Sequence, residues 1–182
     1  RFARVRPAGD RAFAFAVIAD AEFQRPGVNE RNDRFGRVAA TLYALDPLFV
    51  VSLGDQMDDT RGLWDEDKKL SAEAVRQQLG RLSVPVFALP GVNEIGRFYE
   101  GMQSRWFHEQ YLQLPAHFSV EVDGTLIVGI DTTAVGNPAR EGGGGFVRPG
   151  QAAWLQGVLG SYTGALPIVA GHVSPCDAFE DS

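Results

Sequence analysis

The chain has 182 residues, 45% of them apolar and 22% charged, an ordinary globular composition that excludes a disordered tail. At about 150 residues per domain this is one domain, taken as 1–182, and 17 Lys and Arg against 23 Asp and Glu leave a net charge of −6, which argues against sequence-blind binding of nucleic acid. A lone cysteine, Cys176, excludes an internal disulfide or thiolate cluster, and no apolar run approaches the ~20 residues that cross a bilayer.

In chain order, Phe13 to Ala19 (FAFAVIA) reads as a buried strand. Residues 30–45 place Phe35, Val38, Leu42 and Leu45 at helical spacing, and Asp46-Pro47 ends that helix. Leu48 to Leu53 is the next strand. Residues 65–82 read as a helix opening on Asp65, Glu66 and Asp67, where the macrodipole favours acidic groups. Val84 to Leu89 is a third strand, and the β-α-β-α-β rhythm predicts a parallel sheet with right-handed crossovers. Phe118 to Val122 and Thr125 to Ile130 flank Asp123-Gly124, a two-residue hairpin signal that adds an antiparallel element. Glu141 to Gly145 (EGGGG), within the stretch Gly136 to Gly150, reads as a mobile loop, with a lid over a site as the functional alternative. Pro149 to Leu159 reads as a helix with proline near its start, and Pro167 to Ala170 as a last strand. The fold class is therefore α/β.

Ligands of open α/β sheets gather beyond the carboxyl ends of the strands. Here those ends read Asp20-Ala21-Glu22, Gly54-Asp55-Gln56-Met57-Asp58, Pro90-Gly91-Val92-Asn93-Glu94, Asp131-Thr132-Thr133 and Gly171-His172. One strand-end aspartate alone is best read as a cap on a helix or turn. The series predicts a shared site. Two carboxylates about 4 Å apart repel by roughly 4 kcal/mol at an effective dielectric of 20. Asp20 and Asp55 on adjacent ends therefore need a cation, a proton or an arginine between them, and a divalent metal suits carboxylate, amide and imidazole donors together.

At these residues the chain resembles the calcineurin-like metallophosphoesterases, from about Ala12 to Pro175. FAVIADAEFQ stands in the place of the first block, Asp-x-His or Asp-x-Gln, and LFVVSLGDQMDD in that of the second, Gly-Asp-x-x-Asp or a variant. VPVFALPGVNEIG sits where the family has Pro-Gly-Asn-His-Asp/Glu. FSVEVDGTLIVGIDTT matches the hairpin, QAAWLQGVL the following helix and PIVAGHVSP the His-containing fourth block. The resemblance implies a sandwich of two mixed β-sheets flanked by helices. It implies one or two divalent metal ions (Mn, Fe, Zn or Ni), a metal-bound hydroxide attacking a phosphate ester in line, and a phosphorylated small molecule or phosphoprotein as substrate. Carried over, Asp20 is a ligand of the first metal, Asp55 the bridge and His172 a ligand of the second, while Glu22 stands where His or Gln binds the first. Asn93 occupies the place of the histidine that assists phosphate binding and leaving-group protonation, which an amide does not perform near neutral pH. Val92, without a donor, replaces the usual ligand asparagine, and the last block, Gly-His-x-His, is not within the chain, so the domain is expected to be incomplete at its C-terminal end.

Two functions compete: a metal-dependent phosphoesterase, supported by Asp20, Asp55 and His172, and a catalytically impaired relative acting as a binding or structural module, supported by Val92 and Asn93. A haloacid-dehalogenase-type mechanism with Asp20 as nucleophile fails on the short interval to Asp55 and on the lysine, since Lys68 and Lys69 come too late. A dinucleotide site fails because no Gly-x-Gly-x-x-Gly follows the first strand. His108 and His117 read as structural, His108 at the surface or core edge, and Trp64, Trp106 and Trp154 as packing residues. The acidic run Asp58 to Asp67 reads as solvated, with Asp58 and Asp59 in reach of a metal-bound water, and the thiol of Cys176 as incidental. With no secretory signal or membrane span in view, the expected compartment is the cytoplasm.

Overall fold

A computed structural model of the chain describes residues 3–5, 13–23, 30–57, 65–95, 108–109, 112–133, 145–164 and 166–174. The expectations placed on Asp58, Asp59, Trp64, Trp106, Cys176 and most of the glycine-rich segment lie outside the described residues. The elements are β1 (Ala3–Val5), β2 (Ala16–Ile18), α1 (Glu30–Leu45), β3 (Val50–Ser52), α2 (Asp65–Leu79), β4 (Val86–Ala88), α3 (Val92–Ile95), β5 (Phe118–Val122), β6 (Thr125–Gly129), α4 (Pro149–Ser161) and β7 (Ile168–Ala170).

They form two sheets. One is the parallel β2-β3-β4 of the β-α-β-α-β segment, with Ala16 opposite Val50 and Val50 opposite Val86. The other has the order β1-β5-β6-β7 and is mixed: β5 and β6 are antiparallel, whereas β1 and β7 run parallel to their neighbours. So one described sheet is mixed and the other wholly parallel. The sequence carries no signal for strand β1, because a three-residue segment with Arg4 at its centre has no readable periodicity; its pairing of Ala3 with Val120 is a tertiary event.

Local chemistry explains most boundaries. Helix α1 ends at Asp46, which adopts φ 47° and donates its N–H to the Leu42 carbonyl at 3.1 Å; Pro47 then prevents continuation. Helix α2 stops at Leu79 rather than 82, because the chain tightens into turns in which Leu82 N–H bonds the Leu79 carbonyl. At the hairpin, Asp123 and Gly124 both have positive φ, 47° and 74°, as a type I′ turn requires.

Alternation along the strands sorts side chains between three apolar clusters. Val50 joins Phe35, Leu42, Val75 and Leu79, so the parallel sheet packs on α1 and α2. Its neighbours Phe49 and Val51 face the other way and meet Val120, Val122 and Ile127 of the mixed sheet. Leu126, Val128 and Ile130 point outward again onto Val158, Trp154 and Leu155 of α4. Between the sheets, rings follow one another from Phe15 through Phe49 and Phe87 to Phe118, with centroids 5.1, 5.6 and 5.2 Å apart.

Trp154 packs as expected and lies edge-on to His117 at 4.4 Å. His108 departs from expectation. It is fully buried, not at a core edge, with Nε2 3.3 Å from the Ala88 carbonyl, and burial lowers its pKa to about 4. Among the described residues no helix is long and apolar enough to cross a membrane.

Candidate metal centre

The site grows from two loops that run side by side. Beyond β2 and β3 the chains stay hydrogen-bonded: Asp20 N–H to the Gly54 carbonyl at 3.1 Å, Glu22 N–H to that of Asp55 at 2.9 Å and Phe23 N–H to that of Gln56 at 2.6 Å. Side chains that would alternate in a strand are instead re-aimed by left-handed residues: Asp20, Glu22 and Asp55 have φ of 53°, 46° and 50°. Aspartate tolerates this region better than most residues, and three such positions in two adjacent loops are a local strain of the kind found at working sites.

The loop after β4 closes against them. Asn93 N–H donates to Asp55 Oδ1 at 2.8 Å, and the Asn93 side-chain amide donates to the Met57 carbonyl at 3.2 Å. The turn after β7 brings His172 in from the other sheet, with Nε2 3.5 Å from Asp55 Oδ1. One ligand atom from each of Asp20, Asp55 and His172 then lies within 4.8 Å of the others. Asp55 and His172 are mostly enclosed, whereas Asp20 is exposed, so the group is open on one side.

Burial raises the pKa of Asp55. The N–H of Asn93 and the His172 imidazole oppose that shift, and Asp20 adds to it. Two carboxylates and an imidazole converging in a half-enclosed space are a donor set for one divalent cation of the Mn, Fe, Zn and Ni series. Glu22 is not among these three residues; its N–H donates to the Asp55 carbonyl. Val92 is half-exposed beside the site and offers no donor. Asp131 is elsewhere engaged: its carboxylate accepts the Thr133 N–H at 2.9 Å.

Sequence reading missed the function of Glu94. This side chain is buried, and its carboxylate accepts the N–H groups of Asp55 at 3.0 Å, Met57 at 2.9 Å and Gly91 at 2.6 Å. It ties the β3 and β4 loops together behind the candidate ligands. The available signal was a single carboxylate inside the otherwise uncharged stretch Val84 to Ile95.

Burial pushes Glu94 up to about 7, from 4.5, while His108 falls from 6.5 to about 4. Between pH 4.5 and 6.5 the folded state therefore holds an extra proton on Glu94 and lacks one on His108. Rising pH costs stability through the first and adds it through the second, each by roughly 3 kcal/mol over its full window. The two slopes oppose. In EDTA, urea unfolding of the parent chain is expected to change little over that interval. Glu94→Gln should instead gain stability with rising pH, starting about 2 kcal/mol lower because an amide nitrogen faces a backbone N–H. A parallel pH profile for parent and variant would refute the assignment.

No protein-family model and no curated protein sequence matches the chain. Solved structures do: a dimetal phosphatase from Danio rerio superposes with a TM-score of 0.65 at 16% identity, covering 92% of this chain and 72% of that one. The chain thus shares the α/β fold of a dimetal phosphatase.

Proposed function

We propose that the chain is a phosphoric ester hydrolase that depends on a divalent metal, of the calcineurin-like type. The observation that carries this is the convergence of Asp20, Asp55 and His172 from three strand ends, with donor atoms within 4.8 Å. In this reading the two sheets are the inner layers of one sandwich, flanked by α1 and α2 on one side and α4 on the other. Asp20 and Asp55 supply carboxylate oxygens and His172 an imidazole nitrogen. When bound, the cation supplies Lewis acidity toward a phosphoryl oxygen and toward water. Glu94 holds the turn that presents Asp55. Asn93, at the rim, presents an amide able to hydrogen-bond a phosphate oxygen but not to protonate a leaving group.

A second reading rests on one specific observation. Val92 is 50% exposed at the site and apolar, and one N–H of the Asn93 amide is engaged by the Met57 carbonyl. That arrangement suits a domain that holds one cation and turns over slowly or not at all. The experiment is metal analysis after Mn²⁺ or Zn²⁺ exposure and desalting, followed by assay on p-nitrophenyl phosphate and bis(p-nitrophenyl) phosphate. The expected result is about one metal per chain, with hydrolysis that EDTA removes. Metal without hydrolysis selects the binding module, and the double variant Val92→Asn, Asn93→His should then raise turnover in a protein that also carries the final His pair. No metal at all overturns the phosphoesterase reading and leaves a relative that serves as a binding or structural module.

A further inference from the structure

We propose that Thr132 is a positioning residue for His172, setting the imidazole against Asp20 and Asp55; this rests on the metal-dependent reading above. The strand that delivers His172 pairs with β6 along its whole length but ends before the histidine. β7 is three residues long, and Ile168 and Val169 are exposed at 36% and 45%. Its ladder to β6 continues only to Ile130 N–H on the Ala170 carbonyl, two residues short of the histidine.

From there the turn is held by Thr132, which is 1% exposed. Thr132 Oγ1 accepts the Val173 N–H at 2.8 Å, immediately after His172. Immediately before it, Gly171 lies so close that a Cβ there would stand 2.8 Å from Thr132 Cγ2 and 3.2 Å from Oγ1. Both chain neighbours of the histidine are thus registered on one side chain.

Thr132 is itself fixed. Its carbonyl accepts the Phe146 N–H at 3.0 Å. The preceding residue is clamped by Gln151, whose amide accepts from Asp131 N–H at 3.0 Å and donates to the Asp131 carbonyl at 2.7 Å. Helix α4, which carries Gln151, therefore braces the β6 end, and Thr132 passes that rigidity to the His172 turn. A buried hydroxyl that orders a ligand's backbone acts as an outer support of a metal site.

The test is Co²⁺ binding to the full chain, read by titration and by the d–d absorption band, with circular dichroism as the fold control. Thr132→Val keeps the shape but deletes the acceptor. It is expected to weaken Co²⁺ by about 10-fold or more and to alter the band, the range typical of lost outer-shell partners. Thr132→Ser keeps Oγ and should stay within about 3-fold of the parent with its band unchanged.

Gly171→Ala gives an independent route should the valine variant fail to fold. Its new methyl collides with Cγ2, so it should weaken Co²⁺, and adding Thr132→Ser, which lacks Cγ2, should restore binding. Parental affinity and spectrum in Thr132→Val, or no rescue by serine, overturns the positioning role and leaves the metal reading standing. A parent chain that binds no Co²⁺ overturns both.

Discussion

Asp55→Asn is expected to lose divalent-cation binding by at least about 100-fold and, with it, phosphoester hydrolysis down to the buffer rate. The residue stands at the centre of the donor group: His172 Nε2 is 3.5 Å from its Oδ1, and Asn93 N–H bonds the same oxygen at 2.8 Å. Asparagine preserves that shape and can still accept from Asn93. What disappears is one negative charge, and a loss of about 3 kcal/mol at a half-enclosed cation site corresponds to roughly two orders of magnitude.

The same substitution separates a site effect from an unfolding effect. Ionised Asp55 is disfavoured by burial and by Asp20, so removing its charge does not weaken the metal-free fold. Thermal unfolding in EDTA should match the parent or exceed it. In saturating Mn²⁺ the parent should rise, by about 2.7 kcal/mol at a hundredfold excess over Kd, while the variant stays flat. Equal metal content in the two proteins after desalting would sink the role assigned to Asp55.

Gly91→Ala is expected to be among the most damaging single-methyl changes in the described residues. A Cβ at Gly91 would stand 2.0 Å from Asp55 N, 2.2 Å from Asp55 Oδ1 and 2.8 Å from the Gly54 carbonyl carbon. Two of these are backbone atoms, so rotation of a side chain cannot relieve them. The opposing Gly54 is equally constrained: its φ is +116°, and a Cβ there would lie 2.6 Å from Gly91 Cα. The β3 and β4 loops pack backbone to backbone, and Glu94 fastens them from behind. Overpacking against atoms that cannot move costs about 3 kcal/mol or more. For a chain of this size that lowers Tm by roughly 6–12 °C. Metal binding should fail together with the fold, in contrast to Asp55→Asn. Neighbouring Val92→Ala, at a half-exposed position, should shift stability by less than about 0.5 kcal/mol. A Gly91→Ala protein with parental Tm would show that the two loops have room to part.

Much of this architecture is legible in the sequence. Helix α1 over 30–45 followed from apolar spacing and its Asp46-Pro47 stop, and the hairpin from Asp123-Gly124, because those signals act within a few residues. Strand existence was likewise readable, although β2 is shorter than the apolar run Phe13 to Ala19. The run marks what is buried, whereas pairing decides where a ladder ends.

Site residues divide along the same line. Acidic and imidazole groups at successive strand ends are legible in the amino-acid order, since each follows directly from an apolar run that must be buried. Which of them meet was decided by tertiary structure alone. Asp20, Asp55 and His172 converge, Glu22 stands outside that group, and Asp131 turns to its own loop. Glu94 and Thr132 acquire their roles only when loops distant in sequence are brought within hydrogen-bond reach. The physical reason is range: periodicity and turn chemistry are set by near neighbours, whereas a buried acceptor is defined by the donors that the fold brings to it.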